Sequence, residues 1–359
     1  MAVPDRAVDW RVAEQVAVRL CGSDPFADSY HAPQLSRELL ELTPRAEELV
    51  ARETGLSAPG RATAAVVSRP DWIRANLGSF RRLLAPVTAR MKAQMIGPSA
   101  VVARRVAGVE IGTLLGLMSR RVLGQYDLLV AEDGSPGGSP ADAVYFVGPN
   151  LLALEKRFAF PPTEFRLWVA LHELTHRAQF TGVSWMRPYF LGLMDEVLAA
   201  AEPDPRRLIA ALRRAVEAVR AGRNPLDDGG LIALLATPAQ RDALDRVGGL
   251  MSLLEGHGDV TMDRAAAELI PSAGRFGAVL RARRERRGVA RLVGQLTGLE
   301  AKLRQYQDGE RFIEAVEADR GTAFVSRAWE SPALLPTLPE IRDPAAWIAR
   351  VEATPAAVP

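Results

Sequence analysis

A mainly helical protein with one small β element is the fold class this sequence predicts, and three observations predict it. Helix-opening and helix-closing residues recur along most of the chain. Only two short runs are rich in β-prone residues, and they flank a single turn-rich stretch. Residues 165–180 place two histidines one turn apart on an otherwise apolar helical face.

Taken in order, residues 1–20 carry Asp5, Arg6, Asp9, Arg11 and Glu14 among apolar positions. That pattern reads as an amphipathic helix and lacks the apolar centre of a secretion signal. Thr43-Pro44 opens a helix that Gly55 closes, residues 57–65 read as a linker, and Ser68-Arg69-Pro70-Asp71-Trp72 opens the next helix. A long helix follows over residues 99–123. Its apolar part, 106–122, is interrupted by Glu110, Arg120 and Arg121 and falls short of the roughly 20 residues that span a bilayer. Gly108, Gly112 and Gly116 suit it to close helix packing instead.

Residues 125–130 and 143–147 are the β-prone runs, and the Gly/Pro/Ser-rich stretch 132–140 between them predicts a hairpin. Pro161-Pro162-Thr163-Glu164 then starts a helix, with Thr163 as the N-cap. Helical patterning includes 205–221, and it returns at Thr237-Pro238-Ala239-Gln240, which has capping-box spacing. Arg281, Arg283, Arg284, Arg286 and Arg287 surround Glu285 on what reads as a solvated helix end. Residues 332–344 are proline-rich and predict a surface wrap, and 353–359 a frayed tail.

Composition narrows the function. With 359 residues, 48% of them apolar, the chain can bury a large core and is not disordered. Forty-five basic side chains against 43 acidic ones leave a net charge of +2, which argues against steering toward nucleic acid or an anionic membrane. The single Cys21 forbids an internal disulfide and suits a reducing, cytoplasmic setting. Oligomeric state is not legible.

The chemistry lies in His172-Glu173-Leu174-Thr175-His176. Four histidines occur in the chain, His31, His172, His176 and His257, and two of them form this pair. Two neutral imidazoles at i and i+4 can hold one Zn2+, and the carboxylate of Glu173 can act as general base toward a water on the metal. A third ligand is needed. The metzincin extension would put Gly and His where Gln179 and Gly182 stand, so it is absent. Glu255 and Asp259, four residues apart in Leu253-Leu254-Glu255-Gly256-His257-Gly258-Asp259, share a helical face. In this reading Glu255 is the ligand, and Asp259 orients a ligand histidine through its other ring N–H. His257 is the alternative ligand if Gly256 and Gly258 break the helix. For the oxyanion, Tyr306 is the first candidate donor, followed by His257 and Tyr189.

These residues carry a resemblance. The histidine pair with a distal Glu and Asp is similar to the gluzincin arrangement. Leu123-Gly124-Gln125-Tyr126-Asp127-Leu128, Val147-Gly148-Pro149-Asn150-Leu151, residues 168–180, 254–259 and 302–312 resemble a bacterial family of zincin-like, zinc-dependent metalloproteases or hydrolases. Some of its members are labelled as associated with biosynthesis of a deazaflavin coenzyme. The resemblance runs from about Arg69 to Val351 and departs at Ser184-Trp185-Met186, where a Pro-Trp-Leu turn is expected.

What the resemblance implies is a zincin-like helical fold and one zinc ion. The expected organisation is an N-terminal helical segment, 1–60, and a catalytic domain, 61–352. Within the latter lie a helical part (61–123), the hairpin and zinc helix (124–182), the third-ligand helix (237–263) and C-terminal helices (272–352). The expected activity is hydrolysis of an amide bond in a peptide. Two other readings stay open: a zinc amidohydrolase acting on a small metabolite, and a non-catalytic scaffold stabilised by zinc. Glu173 opposes the second, because structural zinc needs no base.

Overall fold

The computed structural model describes residues 7–91, 98–128, 142–199, 238–267, 269–285 and 299–354. It is mainly helical, with a small three-stranded sheet. The expected turn at 132–140, the helix at 205–221, and Arg286 and Arg287 lie outside the described residues.

Helix α1 (Trp10–Leu20) is capped by Asp9, whose side chain accepts the Val12 N–H at 3.1 Å. It buries Ala13 and Ala17 against α4 (Pro98–Ser119). A Cβ added to Gly108, Gly112 or Gly116 would lie 2.5 to 2.8 Å from the carbonyls of Asp9, Ala13 and Ala17. The glycine repeat therefore serves backbone-to-backbone packing, as its spacing predicts.

Helix α2 (His31–Thr54) starts well before Thr43-Pro44, so the expected start there is corrected: Pro44 lies inside the helix. Leu35, Leu39, Leu42, Ala46 and Leu49 form one buried stripe across it, and that burial outweighs the hydrogen bond that proline cannot donate. The Thr43 hydroxyl donates to the Leu39 carbonyl at 2.7 Å. Gly55, at φ +69°, closes the helix in the left-handed conformation, as expected.

The sheet has the order β1-β3-β2. The expected hairpin is present as β2 (Gly124–Tyr126) antiparallel to β3 (Ala143–Val147). The third strand, β1 (Thr63–Val67), pairs with β3 in parallel register from Thr63 opposite Ala143 to Val67 opposite Val147. The linker expected at 57–65 is corrected accordingly: it runs into a strand whose partner lies some eighty positions away. All five residues of β3 are buried, as a central strand requires.

Helix α3 (Arg69–Met91) opens at the expected point. β3 runs directly into α5 (Gly148–Phe158). The Asn150 amide donates to the carbonyls of Ser119 and Val122, each at 2.7 Å, while its oxygen accepts from Arg69 Nε at 2.8 Å. This buried side chain thus ties α3, α5 and the end of α4 together, just before β2 begins.

Helix α6 (Pro162–Arg177) is buried on nearly all sides, and its N-cap is Pro161 rather than the expected Thr163. Two buried arginines hold it. Arg166 meets both oxygens of Glu155 at 2.8 Å and also pairs with Glu38 of α2. Arg177 donates to Glu47 of α2 at 2.7 Å, to Asp142 at 2.7 Å and to the Pro59 carbonyl at 2.9 Å. Burial pushes the Glu155 carboxyl up, and the hydrogen bonds from Arg166 pull it part of the way back. A π-helical turn, Ala178–Gly182, follows, and then α7 (Met186–Ala199).

The chain divides into two compact units: residues 1–182 with 261–276, and 183–260 with 277–359. Helix α8 (Pro238–Ala266) runs through both, with its last turn in the first unit. In the first unit Phe160, Phe165, Trp168 and Phe276 form an aromatic cluster; Phe276 belongs to α9 (Ala273–Glu285), where Arg281 is exposed.

In the second unit α8 crosses α10 (Leu299–Arg320) at glycine. A Cβ on Gly309 would lie 1.9 Å from the Ser252 carbonyl oxygen, and one on Gly256 would lie 2.3 Å from the Gly309 carbonyl carbon. A four-residue helix α11 (Thr322–Val325) follows, then α12 (Leu338–Arg342) and α13 (Pro344–Ala353). The surface wrap expected at 332–344 is corrected: Leu334, Leu335 and Ile341 are buried, and the Pro336 carbonyl packs on Gly249 of α8. Enough apolar side chains sit among the prolines to place this stretch in the core.

Candidate metal centre

The spacing of His172 and His176 on α6 does locally what helix geometry demands. Their Nε2 atoms face each other at 3.2 Å, with the rings nearly perpendicular and their centroids 4.6 Å apart. Two nitrogens bound to one tetrahedral zinc stand about 3.3 Å apart, given Zn–N distances of ~2.0–2.1 Å. Two lone pairs at this distance repel unless a proton or a cation lies between them. The residues present therefore fit the metal.

His176 is held from its far side. Its Nδ1 lies 2.9 Å from Oε1 of Gln179, a fully buried residue in the π turn. Arg166 and Arg177, at the two ends of α6, fix the helix that carries both histidines.

Glu173 is 7% exposed and reaches the first residue of β2. Gly124, the first residue of β2, makes room for it: a Cβ there would come within 2.5 Å of Glu173 Cγ and 2.7 Å of Oε1. No other residue type fits this position without displacing the carboxylate.

His172 and His176 in the first unit and Glu255 in the second are all half-buried. Glu255 sits on α8, which continues unbroken through Gly256 and Gly258. The helix break that would have turned His257 toward the acids is therefore absent, and the His257 ring packs edge-on against Trp329 at 5.0 Å. Gly256 serves the close crossing with α10 instead. Asp259 lies one turn beyond Glu255 on α8 and is half-buried. Tyr189, on α7, packs edge-on against Trp185 at 6.0 Å. Tyr306 is carried by α10, and its side chain lies outside the described residues.

Two neighbours of the centre escaped the sequence reading. Gly124 stands inside a motif quoted for its resemblance, with nothing local to mark it as the neighbour of Glu173. Gln179 stands in the run 168–180 and at the place where a metzincin has glycine, and its spacing of three from His176 is the signal the sequence offers. Among the described residues no helix is long and apolar enough to cross a membrane.

Comparison with known proteins identifies the family. A crystal structure from Chloroflexus aurantiacus, described as a candidate hydrolase with a novel fold, is 32% identical, with a TM-score of 0.70, and the match covers 97% of this chain and 100% of that one. No curated protein matches. The profile of the zincin-like metallopeptidases matches residues 8–348, nearly the whole chain, and the protein belongs to that family.

Proposed function

We propose that this protein is a zinc-dependent hydrolase of the metallopeptidase type, with one zinc ion bound by His172, His176 and Glu255. The observation that carries the reading is the histidine pair, whose Nε2 atoms stand 3.2 Å apart, the spacing of two ligands on one catalytic zinc. Bound zinc would polarise a substrate carbonyl and bring water toward a pKa of ~7. The chain's own residues do the rest. Glu173, adjacent in sequence to the first ligand and kept in place by Gly124, takes the proton of the attacking water and delivers it to the leaving amine.

A peptide is the substrate class favoured by the sheet. Among the described residues β2 stands at one end of the strand order, and its first residue touches Glu173. An extended peptide laid along β2 would pass beside that carboxylate. Asp259 is proposed to support the ligand set, and Tyr306, His257 and Tyr189 are the side chains to test as oxyanion donors. A cytoplasmic site of action is proposed from the single cysteine.

The test pairs two variants. Glu173→Gln should keep stoichiometric zinc and lose about 10²–10⁴-fold in turnover of a peptide or amide library. Glu255→Ala should lose zinc, measured by metal analysis of protein purified without added metal. Equal turnover in Glu173→Gln removes the general base, and unchanged zinc in Glu255→Ala removes the third ligand.

A further inference from the structure

The histidine pair poses a question that the metal alone does not answer: which ring nitrogen of His176 carries the proton. A neutral imidazole has one N–H and one lone pair. Only the tautomer protonated at Nδ1 leaves a lone pair on Nε2, the atom that faces His172. Something must hold the proton on the far side of the ring.

We propose that Gln179 is the positioning residue of the centre, its side-chain oxygen accepting the Nδ1–H of His176 and so fixing both the tautomer and the angle of the ring. This deepens the proposed function and rests on the reading that His172 and His176 are ligands. Three observations carry it. Gln179 Oε1 is 2.9 Å from His176 Nδ1, a full hydrogen bond. Gln179 is completely buried, so water does not compete for the contact. Side chains on a helix lean toward its N-terminus, and a residue three positions after His176 leans back over that ring.

The identity of the residue has a consequence. Ligand histidines commonly donate their second N–H to a carboxylate or a backbone carbonyl. An amide does the same work without a charge, so residue 179 can be fully buried with no counter-ion. It orients His176 while adding no further negative charge to the proposed ligand set. Gln179 takes for His176 the role that the sequence assigned to Asp259, and it comes from the same helical run as the ligand it orients.

The experiment reads the proton directly, in metal-free protein. With four histidines in the chain, histidine-selective 15N labelling gives a spectrum that single His→Gln variants can assign. At about pH 8, above the ordinary imidazole range, two-bond 15N–1H correlations report the tautomer of each ring. His176 should be Nδ1-protonated in the wild type and in Gln179→Glu, which keeps the acceptor. In Gln179→Leu, which keeps the volume, it should lose that preference. Zinc affinity by chelator competition should fall about 10–100-fold in Gln179→Leu and be retained in Gln179→Glu.

An unchanged His176 tautomer and unchanged affinity in Gln179→Leu would overturn the proposal, as would loss of the Nδ1–H form in Gln179→Glu. The latter variant keeps the side chain's shape and still decides the matter if the leucine protein does not fold. A wild type that takes up no zinc sinks the metal reading alone, because the tautomer measured without metal still decides the role of Gln179.

Discussion

Helices α6 and α8 supply the two halves of the proposed centre and are fastened in opposite ways. Helix α6 is locked by charge: Arg166 and Arg177, both almost fully buried, reach carboxylates on α2, α5 and the segment before β3. Helix α8 is locked by the absence of side chains: Gly249 and Gly256 let its backbone touch the backbones of residues 336–338 and of α10. The difference teaches where each helix is vulnerable. Removing a group breaks the first, since an unpaired charge is left in the interior. Adding a group breaks the second, since no space exists for a single methyl.

The largest effect should follow from breaking the charge lock. Arg166→Met leaves Glu155, 3% exposed, without its two hydrogen bonds, and should cost about 3–5 kcal/mol in denaturant unfolding. A loss under about 1 kcal/mol would show that apolar packing, not the ion pairs, holds α6. On the other helix, Gly309→Ala places a methyl 1.9 Å from the Ser252 carbonyl. The clash should outweigh the gain of ~1 kcal/mol in helix propensity and leave a net loss of about 1–3 kcal/mol, with weaker zinc binding because Glu255 is next to the crossing. A more stable Gly309→Ala protein would mean that the crossing has slack and that glycine there is not what sets Glu255.

A smaller effect tests whether the second unit also depends on charge. Burial works against ionised Glu340. The hydrogen bonds from Arg350, from the Thr337 N–H and from the Thr337 hydroxyl outweigh it, so the carboxyl is held below the usual carboxylate range. A carboxyl with a depressed folded-state pKa stabilises the fold above its unfolded pKa, and that stabilisation disappears as pH falls through the folded value. Glu340→Gln should therefore cost about 1 kcal/mol at neutral pH, the worth of a helix cap. The gap from wild type should close in acid below the ordinary carboxylate range. A gap independent of pH would assign the loss to packing.

Several particular residues mark where the sequence was legible. The histidine pair was, because one turn of helix decides it and the apolar residues beside it say that the turn forms. The opening of α3 at Ser68-Arg69-Pro70 and the closing of α2 at Gly55 were legible for the same reason: capping depends on a few neighbours. Pro44 misled, since the stripe of leucines on both sides of it had to be weighed against one lost hydrogen bond. The strand at Thr63–Val67 was hidden, because its hydrogen bonds go to residues brought beside it only by the fold.

By itself the sequence determined the helical class, the local punctuation and the one-turn spacing of His172, Glu173 and His176, all consequences of backbone periodicity over a few residues. Only the tertiary structure decided that Gly256 is a point of contact and not a break, that Gly124 makes room for Glu173, and that Gln179 backs His176. The physical reason is that a glycine or an amide acquires its role from the atoms opposite it. For the two glycines those atoms come from distant parts of the chain, and their approach is governed by packing density rather than by any local preference. For Gln179 the partner is local, and what the fold adds is the burial that keeps water from the contact.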